Sequence, residues 1–434
     1  MTSSVDRRIL RTTLIVGVAS LLPKAALVVR DLAIAAHFGT GDQVDAFLLA
    51  VLLPSVAVQI VVQPFATSLI PIFIHRRETD GPSVAADLSG RAAGYGLGAA
   101  AVLGFLMALC GTWLIRLVGP GFPPAKQVLA LGYLYWLTPL VLLQGAAAIW
   151  SALLNALGRY AAVSCLPVAT PALVLVVLAW PSGGMTGVAV ATLAGGVVEA
   201  SLAAILLRQA GLPLWRAGTY RNLREVLTQT LPMSMGMALS SGSLVVDQLF
   251  ASFAASGGVA VLAYGNKIPA FLISLAALPL GVAVLPHFSE QAARTDWVGL
   301  RRSLRLWSIV VLAATIPAVL GLITESEWIV RLVFQRGRFS GTDTTLVALV
   351  QQCYLLQVPL FLLVTLGVRM MIALGLTRQI MLIAGANFVL NGVLDLALFN
   401  MIGLPGIALS TSVVSASSAG LVFLSLVRRL RIPR

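Results

Sequence analysis

The sequence predicts an all-α integral membrane protein with twelve transmembrane helices in two six-helix bundles. Three observations carry that expectation: a composition poor in charge, a series of apolar runs of spanning length, and a set of landmarks that recurs once along the chain. Of 434 residues, 59% are hydrophobic and only 10% charged. A soluble domain carries about a quarter charged residues. The net charge of +13 is concentrated in short loops between apolar runs. That is the positive-inside pattern of a multi-pass membrane protein and not the footprint of a nucleic-acid binder. The expected surroundings are a phospholipid bilayer, with no nucleic-acid partner.

Apolar runs fall near 13–37, 46–74, 91–118, 128–157, 161–181, 185–207, 231–254, 258–288, 303–324, 342–374, 379–401 and 404–427. Each meets the requirement of about 20 residues for a spanning helix. Pro23, Pro54, Pro64, Pro139, Pro167, Pro171, Pro269, Pro279 and Pro359 lie inside these runs and predict kinks, because proline removes a helical donor. The basic Arg7, Arg8 and Arg11 precede the first run without a convincing cleavage site, so that helix is expected to be its own insertion signal.

Arginines cluster in alternate loops, as at Arg76/Arg77, Arg208/Arg216, Arg301/Arg302/Arg305 and Arg428/Arg429, whereas loops 39–44, 181–185, 254–258 and 400–403 hold no Lys or Arg. Both termini are therefore expected in the cytoplasm of a bacterial inner-membrane protein. Arg116, Lys126, Arg331, Arg336 and Arg338 break the rule, in two outward loops. The stretch Leu212–Arg224, with Trp215, Arg216, Tyr220 and Arg221, reads as a basic amphipathic connector on the cytoplasmic face. It divides an N-terminal bundle, 1–209, from a C-terminal one, 230–434, with the connector at 210–229.

The two halves repeat each other at an offset near 215 residues. Asp31 answers Asp247, and Pro54/Pro71 answer Pro269/Pro286. Trp113-Leu-Ile-Arg116 answers Trp328-Ile-Val-Arg331, and Ala156-Leu157-Gly158 answers Ala373-Leu374-Gly375. Repeats of six helices, an even number, are parallel and related by an axis along the membrane normal.

Charges inside apolar runs are the candidate functional groups. Lys24, Arg30 and Asp31 lie within or at the end of the first run, where each costs roughly 2.5–3.5 kcal/mol on insertion scales. Such groups face a wet cavity or snorkel to the interface; Arg30 could equally pair with Asp31 or a phospholipid. Cys110, Cys165 and Cys353 lie in apolar runs without metal-ligand spacing, and His37, His75 and His287 have no nucleophile nearby in sequence. There is no Walker motif, and enzyme chemistry is not expected.

Val29-Arg30-Asp31, Phe38-Gly39, Asp45-Ala46-Phe47, Leu285-Pro286-His287-Phe288-Ser289 and Arg331-Leu-Val-Phe334-Gln-Arg-Gly337 resemble the MurJ/MviN family over nearly the whole chain. The resemblance implies a V-shaped pair of bundles around a central cationic cavity. It also implies an activity: flipping lipid II, a polyprenyl-pyrophosphate-linked saccharide, to the outer leaflet by alternating access. By position it assigns Lys24, Arg30 and Lys267 to the substrate, with Asp31 and Asp45 as acidic partners. It places a sodium site, or a proton site, at Asp247, Asn391, Asp395 and Thr411; no covalently bound cofactor is implied. Asn391 and Asp395 share a helix face, and carboxylate, amide and hydroxyl oxygens suit a hard cation. A protonated Asp395 bonded to a neighbouring helix is the other reading.

The sequence departs from the family at Val58, where a cavity arginine is usual, and at Ala270. It also has twelve runs where the lipid II flippases have two more helices, which form a groove for the polyprenyl tail. A capsule or exopolysaccharide precursor is therefore an equal candidate substrate. Two other functions are a cation-coupled multidrug antiporter of the same superfamily and a non-transporting membrane scaffold. A monomer is expected.

Overall fold

The computed structural model describes residues 3–180, 184–218, 223–279 and 284–431. It describes side chains in those ranges from residue 21, except at 223, 277–279 and 431. The side chains of Arg7, Arg8 and Arg11, residues Tyr220 and Arg221 of the connector, and stretch 280–283 lie outside these.

Every described regular element is helical. In order these are α1 (Ser3–Phe38), α2 (Asp42–Ala57), a π-helical stretch (Val58–Val62), α3 (Gln63–Thr79), α4 (Pro82–Leu109), α5 (Gly111–Val118), α6 (Pro124–Leu137), α7 (Leu140–Ala156), α8 (Tyr160–Cys165), a short 3-10 turn (Leu166–Val168), α9 (Ala169–Leu178) and α10 (Met185–Gln209). The second half has α11 (Leu223–Ser252), α12 (Gly258–Gly265), α13 (Lys267–Pro279), α14 (Leu285–Ala293), α15 (Trp297–Thr324), α16 (Ser326–Phe334), α17 (Gly341–Leu355), α18 (Gln357–Ala373), α19 (Thr377–Ile402) and α20 (Leu404–Arg431).

Among the described residues nine helical segments are long and apolar enough to cross a bilayer. A tenth counts if α6 and α7, bent by 41°, are one span. The other two expected runs fold as α1 and α11, of 36 and 30 residues; the count reaches twelve only if both cross. Polar residues such as Thr228, Gln229, Ser240 and Ser241 dilute α11. Large apolar side chains point outward, as Val102, Phe105, Leu106 and Leu109 do on α4. In lipid that is the solvated face.

Proline acts as expected at some positions only. Pro139 sits at the bend between α6 and α7, and Pro167 lies in the 3-10 turn before α9. Pro23, Pro54 and Pro71 stay inside helices that continue. Pro359 and Pro269 fall in the first turns of α18 and α13, where the missing donor is one that a helix leaves unused anyway.

The chain forms two compact units, one of Met1–Phe38 and Asp42–Ser241, the other of Gly39–Gly41 and Gly242–Arg434. In the first, α7 is the hub against which α3, α4 and α10 pack, and Phe73, Leu153, Leu154 and Leu207 form a buried cluster. The connector is docked on this unit. Trp150 Nε1 donates to Leu214 O at 3.0 Å, and Arg216 N to Gly90 O at 2.8 Å. In the second, Phe288, Leu300, Leu355, Leu366, Met370 and Leu426 make the core. Gly257 there has φ +93°, and its missing Cβ leaves room for the Thr40 carbonyl.

Local geometry repeats as the sequence does. The break after α4 at Cys110 has φ −93°, ψ 7°, and the break after α15 at Glu325 has φ −95°, ψ 10°. Leu157 and Leu374 end their helices at φ −87°, ψ 2° and φ −90°, ψ 0°. Each is followed by a glycine at positive φ, Gly158 at 79° and Gly375 at 70°, the usual left-handed helix terminator.

Candidate functional site

The first unit holds an open cavity of about 670 Å³ whose walls include Arg30, Val58, Gln59, Gln144, Asn155 and Glu199. Arg30 enters from α1. Its Nε and Nη2 both donate to Asp31 Oδ1, at 2.9 and 2.6 Å. Arg30 thus both lines this cavity and pairs with Asp31. Val58, at the start of the π-helical stretch, lines the same cavity. The position where the family usually has a cation therefore faces the cavity and brings none.

Lys24 is half-buried and is not among the residues lining this cavity. Six residues at roughly 100° each turn it about 120° around α1 from Arg30. Asp45 is elsewhere too. It is 1% exposed and accepts from Lys126 Nζ at 2.6 Å, while Lys126 also pairs with Asp42 at 2.7 Å. The Lys126 ammonium lies 4.2 Å from the Phe122 ring centroid. These three charges join α2 to α6, and Asp45, expected as an acidic partner of the substrate-binding cations, pairs with Lys126. Two exceptions to the loop-charge rule are explained as well: Lys126 is neutralised by carboxylates, and Arg331 pairs with Glu327 at 2.9 Å. Lys267, half-buried, opens α13 in the second unit.

The second unit gathers three of the four residues expected at a cation site, plus one not foreseen. Asn391 Nδ2 donates to Asp247 Oδ1 at 3.1 Å, Asp395 Oδ2 at 3.2 Å and Ser410 Oγ at 3.4 Å. Ser410 Oγ donates to Asp395 Oδ1, and the two carboxyls are within hydrogen-bond reach of each other. All four residues are at most 7% exposed. Two bare carboxylates in contact in a low-dielectric interior repel strongly, so the pair needs a proton or a cation between its oxygens. The buried Asn391 Oδ1 has no hydrogen-bond partner among the described residues, which leaves an amide oxygen available beside the carboxyls. Such a donor set fits a small hard cation. Among the described residues no group of three His, Cys, Asp or Glu side chains converges as a transition-metal site would.

Thr411 does not reach the carboxylates. Its Oγ1 donates to Ile407 O at 3.1 Å within α20, and the preceding Ser410 takes the place expected of it. Tyr354, 3% exposed, sets its hydroxyl against Thr411. The sequence signal for Ser410 was present but ambiguous: Ser410, Thr411, Ser412 and Ser415 offer hydroxyls on several faces of one helix.

The family model described as "Lipid II flippase MurJ" matches residues 34–434. The chain belongs to that family. A probable lipid II flippase MurJ of Rhizobium meliloti is 29% identical over 429 residues, covering 95% of this chain and 80% of the relative. One from Synechocystis is 26% identical, covering 96% and 81%. Among solved structures, a lipid II flippase MurJ in an inward closed conformation superposes with TM-score 0.81 at 20% identity, covering 95% of this chain and 87% of that one. An inward-facing multidrug-resistance transporter of the MATE family gives 0.79 at 14% identity, covering 95% and 98%. These two likenesses establish the fold, a multi-pass helical membrane transporter fold. Members of the family are transporters rather than catalysts.

Proposed function

We propose that this protein is a flippase that moves a polyprenyl-pyrophosphate-linked saccharide from the cytoplasmic to the outer leaflet by alternating access, breaking no covalent bond. The observation that carries the reading is Arg30, a membrane-embedded guanidinium on a cavity wall otherwise rich in amides, in a chain of the lipid II flippase family. A guanidinium is a planar multi-donor suited to phosphate oxygens, and amides suit sugar hydroxyls. Arg30 holds the pyrophosphate in this scheme, with Asp31 orienting its guanidinium. The protein acts as a monomer in the bacterial cytoplasmic membrane, with both termini inside.

Sodium, or a proton, is the coupling ion in this reading. Asp247, Asp395, Asn391 Oδ1 and the Ser410 hydroxyl are the oxygens that would hold it. A bound cation supplies the charge that lets the two carboxylates coexist.

The test is survival of cells in which this chain is the sole lipid II flippase, with wild type compared with Arg30→Ala. Rescue by wild type and failure of the variant is the expected result. No rescue by well-expressed wild type points to another lipid-linked glycan, read next as lost surface polysaccharide in a deletion strain.

A further inference from the structure

Glu199 is a charge that the scheme above leaves unused. It is the fifteenth residue of α10, in the run Gly195-Gly196-Val197-Val198-Glu199-Ala200. It is half-buried and lines the cavity that Arg30 lines, and it makes no hydrogen bond or ion pair with any described residue. One turn earlier, Gly195 lets α10 close onto Thr170 of α9, itself on the cavity wall, so the carboxyl is carried on a closely packed helix pair.

The charge balance of the cavity follows. Among the described residues its lining contains one cation, Arg30, and one acid, Glu199, the rest being neutral. Arg30 already carries Asp31 on two of its nitrogens. With Glu199 ionised the cavity and Asp31 sum to one negative charge; with Glu199 protonated they sum to zero. A pyrophosphate brought to Arg30 is repelled by a Glu199 carboxylate, whereas a Glu199 carboxylic acid can donate its O–H to a phosphate oxygen. The two binding events therefore reinforce each other, and by linkage the reinforcement is reciprocal.

We propose that Glu199 is the proton-binding residue of this cavity, so that binding of an anionic phosphate-bearing head group at Arg30 takes up one proton onto the Glu199 carboxylate. The proposal rests on the flippase reading of the cavity.

Other titratable groups near α10 are accounted for. The α7 and α9 helices and the 3-10 turn packed on it carry none. From α6 come Lys126, Tyr133 and Tyr135, and from α2 Asp42 and Asp45; Lys126 binds both aspartates. Tyr133 meets Thr186, thirteen residues or roughly 20 Å along α10 from Glu199. Arg208, on α10 itself, is nine residues away. Arg30, on the same cavity lining, carries Asp31.

The test uses full-length protein in nanodiscs with undecaprenyl pyrophosphate as probe, titrated calorimetrically between pH 6 and pH 9 in two buffers of different ionisation enthalpy. Wild type is expected to take up about one proton more per lipid than Glu199→Gln. Its affinity should fall by up to about tenfold more per pH unit than the variant's, the limit for one linked proton. The probe's own titration is common to both proteins and cancels. Equal proton uptake in the two proteins overturns the proposal and leaves the flippase reading intact. Equal uptake with a selective loss of amine-bearing lipids by Glu199→Gln also overturns it, in favour of an ammonium site. If wild type and Arg30→Ala bind the probe equally weakly, the reading of the cavity fails and the proposal fails with it.

Discussion

Lys126 Nζ lies 2.6 Å from Asp45 Oδ2, both side chains at most 5% exposed, and the residues are 81 positions apart in sequence. A buried ion pair adds little net stability, but breaking it leaves a bare charge inside, at roughly 3–5 kcal/mol. Lys126→Met should therefore lower the thermal unfolding temperature in detergent sharply, and Lys126→Met with Asp45→Asn should recover much of the loss. Equal melting of the wild type and the single variant would show that the cluster is solvated.

The Asp247–Asn391–Asp395 cluster predicts sodium-dependent stability. A ligand at a hundred times its Kd stabilises by about 2.7 kcal/mol, so replacing choline with sodium should raise the melting temperature of wild type. Asp395→Asn should melt at one temperature in both salts. A wild type indifferent to sodium would assign the cluster to a proton.

Ser410 and Thr411 can be separated by deletion of their hydroxyls. Ser410→Ala leaves Asp395 Oδ1 without its donor, at about 1–3 kcal/mol. Thr411→Val removes a bond made to its own helix at Ile407 and should cost less. Chemical unfolding of the two variants side by side gives the order, and the reverse order would restore Thr411 to the cluster.

Gly257→Ala should destabilise the second unit. At φ +93° an L side chain is strained, and its Cβ would also meet the Thr40 carbonyl. The left-handed backbone alone costs roughly 1–2 kcal/mol. Melting of the variant within a degree of wild type would mean that the turn rearranges freely.

Much of this architecture was legible because lipid imposes one rule, that backbone polar groups pair within the segment. Among the described residues the apolar runs accordingly became helices, and Asn391 and Asp395, four residues apart, came out on one face as the helical period requires. What the sequence could not convey was which charges meet. The family resemblance makes Asp45 an acidic partner of the cavity cations, and Lys126 on α6 reaches it. Lys24 was grouped with Arg30 by proximity along α1, whereas the angle between them separates their faces. Glu199 carries no signal of its own, because one acid in a long apolar run has no pattern to read; only the shared cavity gives it a counterpart.

The π-helical stretch Val58–Val62 acts on the cavity wall as an angular correction. Val51, Ser55, Gln59, Gln63 and Thr67 all line the cavity, at a strict spacing of four. In an unbroken α-helix each such step advances the row by about 40°, so the last of them would stand roughly 160° from the first. The wider π turn, closing between residues five apart, rotates the chain less per residue and takes back part of that drift. Shortening this stretch by a single residue would swing Gln63 and Thr67 away from the cavity while leaving every helix on this span intact. The polar stripe is continuous only because the helix that bears it is not.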